Sequence, residues 1–313
     1  MPTGTPPLIT IFGGGGFIGR YVCEALLRTG ARLRLAERDP RKAFFLRPLG
    51  SVGQVGFARA DLARPATIER AVAGAIAVIN LVGTFNGKLD AVHVDGAGAA
   101  AAAAREAGAT AFVQISAIGA DPDSASNYGR TKGLGEEAVR DAFPGATIIR
   151  PSVVFGAEDD FTNRFASLAR LPVLPVIAPN TRFQPVYVRD LAQAIAGATL
   201  APQRFGGKNY DIAGPEVMTM RELNAQIARL AGQSPELVEV PDFAASAVAK
   251  LGFLPGAPLS PDQWIMLQRD NVAAESASGL EAFGIVPTAL ETVAGDWLGR
   301  FVKGGRFAPR ATA

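Results

Sequence analysis

The chain has 313 residues, 48% of them hydrophobic and 19% charged, which describes a folded protein and excludes a disordered or fibrous one. Thirty-one basic against 29 acidic side chains leave a net charge of +2, too balanced for a general polyanion binder, so no nucleic-acid partner is expected. One Cys (Cys23) and one His (His93) exclude a disulfide, an iron–sulfur cluster and a His- or Cys-rich zinc site within one chain, and no metal is expected.

Residues 1–7 hold no Lys or Arg, and the apolar run from Leu8 leads straight into glycines, unlike a signal peptide; a cytoplasmic location is expected. The pattern then alternates short apolar runs with helical periodicity. Strands are predicted at Leu8–Phe12, Arg32–Ala36, Ala77–Val82, Ala111–Ile115 and Ala146–Arg150. Helices are predicted at Phe17–Thr29, Asp61–Ala73, Ala97–Ala107 and Tyr128–Asp141. Leu171–Pro179 carries prolines at 172, 175 and 179 and reads as a loop over a cleft. Pro185–Val188 and Asn209–Ile212 read as further strands, and Thr219/Glu222 and Ser260/Gln263 as capping boxes. No run reaches the roughly 18 to 20 apolar residues of a membrane span.

This βαβ rhythm predicts an α/β fold: a Rossmann doubly wound parallel sheet with a smaller C-terminal α/β substrate lobe. The expected division is residues 1–160, with later strands returning at about 184–200, and 161–313.

Gly13-Gly14-Gly15-Gly16-Phe17-Ile18-Gly19 lies between a predicted strand and a predicted helix. It fits both GxGxxG and GxxGxxG spacing, so spacing alone does not choose the dinucleotide subtype. The physics is common to both: residues without side chains let pyrophosphate approach the amides at the positive helix end. Glu37 and Arg38 follow the second strand, where an acid serves the ribose 2′-hydroxyl of NAD and an Arg the 2′-phosphate of NADP. Arg38, Arg41, Lys42 and Arg20 outnumber the acids, which favours NADP(H) over NAD(H). Asp61-Leu62 and Asn80-Leu81-Val82-Gly83 fit adenine and sheet-edge contacts; each also fits an N-cap or a turn. Tyr128 and Lys132 stand four apart on one helical face, where an ammonium would lower the phenol pKa and make a proton donor beside a hydride-transfer centre. Cys23, in a helical apolar pattern, reads as a buried structural thiol.

Taken in order, the glycine motif, Asp61-Leu62, Asn80–Gly83, Tyr128/Lys132 and Arg150-Pro151-Ser152 resemble the short-chain dehydrogenases/reductases of the extended or atypical branch. Within it the chain is similar to the nucleotide-binding accessory-subunit type of respiratory complex I. The strings that carry this are Phe45–Gly50, Val139–Pro144, Phe155–Asp159 with Phe161 and Asn163, and Gln184–Val188. The resemblance implies cofactor contacts from Gly13, Gly16, Phe17, Ile18, Gly19, Glu37, Arg38, Asp61, Leu62, Asn80, Val82, Gly83, Ser116, Tyr128, Lys132, Pro151 and Val153. It implies catalytic roles for Tyr128, Lys132 and Ser116. The family's catalytic Ser or Thr often stands two residues beyond Ser116, where this chain has Ile118; Ser116 or Ser126 is then the substitute. His93 stands where many extended members place Asn and reads as a packed residue.

The expected function is a tightly held NADP(H) in a complex I accessory-subunit type of protein, with complex I or ubiquinone-biosynthesis proteins as partners. It would lie peripherally at the inner face of the cytoplasmic membrane. The alternatives are an active NADP(H)-dependent oxidoreductase or epimerase on a small carbonyl or isoprenoid-like substrate, and a nucleotide-sensing regulator.

Overall fold

In the computed structural model, which describes residues 6–250, 252 and 259–302, five apolar runs of the N-terminal half become parallel strands. They belong to the first of two units, made of the residues up to Pro151, Val188–Ile212 and Ala274–Val286. Its strands are β1 (Leu8–Phe12), β2 (Arg32–Glu37), β3 (Val55–Arg59), β4 (Ala77–Asn80), β5 (Ala111–Ile115), β6 (Thr147–Pro151) and β7 (Asn209–Ile212). They form one seven-stranded sheet in the order β7-β6-β5-β4-β1-β2-β3, every pair parallel. Successive residues Ile9 to Phe12 are all buried, as a strand covered on both faces requires. The strand order reverses between β1 and β4, which creates the crevice at their C-terminal ends where open α/β sheets bind ligands.

Helices α1 (Phe17–Leu27), α2 (Pro65–Val72), α3 (Gly96–Glu106), α4 (Asn127–Ala142) and α5 (Val188–Leu200) pack on this sheet. Ala97, Ala100, Ala101 and Ala104 of α3 are buried completely, and such small side chains let α4 approach closely. A Cβ added at Gly98 would stand 3.3 Å from that of Ala138, and one at Gly135 would strike the carbonyl of His93. This seating fixes α4, and with it Tyr128 and Lys132.

The second unit comprises Ser152–Tyr187, Ala213–Ala273 and the residues from Pro287 on. Its core gathers Phe155, Val176, Phe183, Leu223, Ile227 and Trp297. Both capping boxes form as read, at Thr219/Glu222 and Ser260/Gln263.

The expected loop over Leu171–Pro179 is instead a strand, Val173–Ile177, paired in parallel with Glu236–Val240. The amide of Glu236 donates to Pro172 O (2.9 Å), and the alternation of the ladder turns the nitrogen of Pro175 to the outer edge, where its missing N–H does no harm. Leu174 and Val176 are buried between the exposed Val173 and Pro175. Pro185–Val188 shortens to the two-residue strand Val186–Tyr187, because Val188 already begins α5. Among the described residues, no helix is long and apolar enough to cross a membrane.

Candidate nucleotide site and active site

The turn between β1 and α1 is built from Gly13 to Gly16. Gly13 is left-handed (φ +77°), and a Cβ on it would lie 3.3 Å from Val82 Cγ2, so the loop rests on the chain leaving β4. A Cβ on Gly19 would strike the carbonyl oxygens of Gly13 and Gly14, so that glycine is required by the packing of α1 on its own loop. Gly16 differs. As the N-cap of α1 it has only Gly13 O, at 3.3 Å, near a built Cβ. The fold alone therefore leaves open a cradle that a side chain would fill, at the positive end of a helix whose first residues, Phe17 and Ile18, have amides with no intrahelical acceptor. That cradle fits a pyrophosphate. Cys23 lies beneath it, buried, with Sγ 3.9 Å from Gly14 O; burial pushes the thiol up to about 12, so it is inert.

At the end of β2, Glu37 turns its carboxylate back to accept the amide of Gly15 at 2.6 Å. Burial raises its pKa, against the amide hydrogen bond and the charge of Arg38. Arg38 is exposed and makes no ion pair among the described residues. Arg41, grouped with it in the sequence reading, is held by Asp39 through two bonds of 2.9 and 3.0 Å.

Asn80, wholly buried, donates to Gln114 Oε1 (2.9 Å) and accepts the amide of Val82 (3.1 Å), which ties β4 to β5 and turns the chain toward Gly83. A Cβ on Gly83 would be 3.8 Å from Lys132 Nζ, so this turn meets α4. Asp61 is spent locally: it accepts the amide of Ala63 and lies 3.8 Å from Arg64, the turn reading of that motif. Leu62 is buried in the hydrophobic core.

Lys132 is buried, donates to Ile115 O at 2.8 Å and stands 5.9 Å from the Tyr128 ring centroid. The expectation that it acidifies Tyr128 is overturned. Burial pushes the phenol up to about 12, and lowers Lys132 itself to about 8 against the pull of Glu136. Desolvation of the phenolate outweighs what the neighbouring ammonium contributes.

Ser116 follows β5, its amide bonded to Ile149 O (2.7 Å) and its Oγ buried without a hydrogen-bond partner among the described residues. An orphaned buried hydroxyl beside a switch-point crevice is a second feature that a bound ligand would satisfy. Ile118 donates its amide to Pro151 O (3.0 Å) and offers no hydroxyl. Ser126, the other candidate, has its Oγ accepting from the Gly129 amide (3.2 Å) as the N-cap of α4. Val153 belongs to the second unit, where its amide donates to Asn271 Oδ1 (3.0 Å).

Three features escaped the sequence reading. Phe85 stacks on Tyr128 with centroids 4.4 Å apart and planes 19° from parallel; its only signal was its position just past Gly83. His93 Nε2 accepts the Thr84 amide (3.1 Å), so Nδ1 carries the proton and donates to Thr131 Oγ1 (2.9 Å), whose own hydroxyl donates to Asn127 O (2.8 Å). The ring is thus a neutral brace between the Phe85 loop and α4, lowered to about 4 by burial first and by Lys132 second. Finally, Glu136 takes a two-point bond from Arg150 (2.8 and 2.5 Å), locking α4 to β6 one turn beyond Lys132.

The sequence model described as the NAD dependent epimerase/dehydratase family matches residues 9–213. Subunit 9 of the NADH dehydrogenase [ubiquinone] 1 alpha subcomplex of Rattus norvegicus is 35% identical over 90% of this chain and 77% of its own length. A ceramide reductase of Caulobacter vibrioides is also 35% identical, over 77% of this chain and 76% of its own. Among solved structures, an NADPH-dependent quinone oxidoreductase of Escherichia coli in complex with NADPH superposes with a TM-score of 0.76 at 20% identity, covering 93% of this chain and 99% of that one. With the family model over more than half its length, the chain belongs to the NAD-dependent epimerase/dehydratase family, has a nucleotide-binding reductase-like fold and is homologous to subunit 9 of the complex I alpha subcomplex.

Proposed function

We propose that this protein holds NADP(H) as a structural element and serves as an accessory partner of a respiratory complex I, peripheral to the membrane. The observation that carries the reading is the half-buried Tyr128 ring stacked on Phe85. Tyr128, the residue that would move a proton, is stacked under Phe85 and pushed away from acidity by burial, while the Gly16 cradle is open. Ile118, in place of a hydroxyl, supports the same conclusion. In this reading Gly13, Gly16, Phe17, Ile18 and Gly19 seat the pyrophosphate, and Asn80, Val82 and Gly83 line the switch-point crevice. Ser116, Tyr128 and Lys132 face the nicotinamide ribose, with Pro151 beside them. Arg38 takes the 2′-phosphate, because the carboxylate of Glu37 is already engaged by Gly15.

One observation favours a second reading, a working reductase: the orphaned Ser116 hydroxyl lies behind an intact Tyr128/Lys132 pair. Complementation of a deletion strain, scored by NADH:quinone activity, separates the two. The accessory reading expects Tyr128→Phe to restore activity fully and Gly16→Val to fail. Failure of Tyr128→Phe despite normal folding and NADPH binding would promote the reductase, since removing a proton donor lowers turnover about 10²-fold or more.

A further inference from the structure

The first unit carries a second concavity, of about 610 Å³, lined by α1, α5 and residues of 204–205 and 283–285. That volume lies within the roughly 300–1,000 Å³ of small-ligand sites. No residue of the glycine loop, of the β2 end or of the Tyr128 cluster lines it. It lies between two facing stripes in which small residues alternate with long charged ones. Helix α1 presents Tyr21, Glu24, Ala25 and Arg28 at i, i+3, i+4 and i+7, and α5 presents Arg189, Ala196 and Gly197 on the side that lines the cavity. Ala25 and Ala196 leave a trough that larger apolar side chains would close, and Gly197 meets Phe283 at its end, where an added Cβ would stand 3.4 Å from Cδ1. Phe205 and Phe283, stacked at 4.4 Å, wall its far end.

The charges on this trough are unbalanced. Glu24 is shared between Arg28 (2.5 Å) and Arg189 (2.9 Å), and Arg204 donates to Ala282 O and has no carboxylate partner among the described residues. At the Arg28/Arg189 end two guanidiniums face one carboxylate, an excess of one positive charge, and Arg204 adds a third guanidinium at the Phe205 end. Two of the guanidiniums are held by aromatic faces, Arg189 over Tyr21 at 5.0 Å and Arg204 over Phe205 at 4.9 Å. Of the two arginines at the Glu24 end, Arg189 is thereby ordered in advance for the oxygens of an anion.

We propose that this cavity binds an anionic amphiphile: a carboxylate or phosphate head on Arg28 and Arg189, and an acyl chain along Ala25 and Gly197 toward Phe205 and Phe283. The proposal does not rest on the nucleotide reading. It is tested by calorimetric titration of the NADPH-loaded full chain with oleate below its micellar concentration and with inorganic phosphate. Flotation with phosphatidylglycerol vesicles, against phosphatidylcholine vesicles, gives the membrane arm. Two variants are compared: Arg28→Gln with Arg189→Gln, which removes the head contacts, and Ala25→Phe, which fills the trough with the arginines in place.

The expected result is one oleate per chain, weakened about tenfold or more by each variant, with NADPH affinity and thermal midpoint unchanged. The same losses on phosphatidylglycerol vesicles would place the source of the amphiphile in a bilayer; losses on oleate alone would place it among free acids. Both outcomes uphold the site. Binding of neither probe, binding that survives both variants, or phosphate bound as tightly as oleate would overturn it. Failure of NADPH to bind would count against the nucleotide reading alone.

Discussion

Glu37 ends β2 with its carboxylate bonded to the Gly15 amide, and that bond determines which side chain is available to a ribose there. With Arg38 exposed beside it, NADPH is expected to bind about ten- to a hundredfold more tightly than NADH, the equivalent of one charge-assisted hydrogen bond. Titration of both nucleotides into wild type and Arg38→Ala checks this; an unchanged ratio in the variant would return the specificity to Glu37. His93 supports a different prediction. Its folded pKa is about 4 against 6.5 ordinarily, so between those values the unfolded chain binds the extra proton and stability falls as pH falls. The loss amounts to about 3 kcal/mol from pH 6.5 down to 4. Urea midpoints across that range should drop more steeply in wild type than in His93→Gln, which keeps an acceptor for Thr84 and cannot charge; equal slopes would rule the brace out. At this scale the sequence supplied identities and spacings. Tyr128 and Lys132 were legible as a helical pair, but the direction of the net shift on the phenol was not, because its desolvation depends on Phe85 and His93, which come from other parts of the chain.

Strand, turn and helix around the glycine loop were legible because each obeys a local rule: an apolar run, residues free of Cβ, then helical periodicity. Within the loop, however, the glycines divide by a criterion only coordinates supply. Gly19→Ala should destabilise the first unit by about 1 to 3 kcal/mol, since its Cβ must displace the carbonyls of Gly13 and Gly14. Gly16→Val should cost less than Gly19→Ala, about 1 kcal/mol or under, and abolish NADPH binding, as its Cβ meets only Gly13 O, at 3.3 Å, and its side chain fills the cradle. Comparing the two by chemical denaturation and titration is decisive, and a folded Gly16→Val that still binds NADPH would reduce the loop to a tight turn. Elements that depend on distant partners were harder to read. Val173–Ile177 is a strand only because Glu236–Val240 pairs with it and places Pro175 harmlessly, and nothing within nine residues of Pro175 discloses that partner. The start of α5 at Val188 was obscured likewise, since its β-branched opening imitates a strand.

Each of the two units is stitched from three separate stretches, so the sheet of the first is completed by β7 only after the chain has built part of the second. The parallel sheet was legible as a rhythm of runs. The boundary at Pro151 was not, because no linker marks it and the apolar run Val153–Phe155 follows it directly. For the whole molecule the nucleotide should act as a stabiliser, since a ligand that binds only the folded state adds RT ln(1 + [L]/Kd) to its stability. NADPH at a hundred times its Kd should add about 2.7 kcal/mol. At roughly 2 to 4 °C per kcal/mol for a domain of 150 to 250 residues, the midpoint should rise by about 5 to 11 °C. Tyr128→Phe should keep that rise, because the phenol of an accessory protein need only fill space, and Gly16→Val should lose it. Differential scanning calorimetry of the three proteins with and without NADPH makes the comparison. A rise lost in Tyr128→Phe as well would mean that the phenol itself grips the nucleotide, and the ring stacked on Phe85 would then have to open for binding, as a working reductase requires and a permanent scaffold does not.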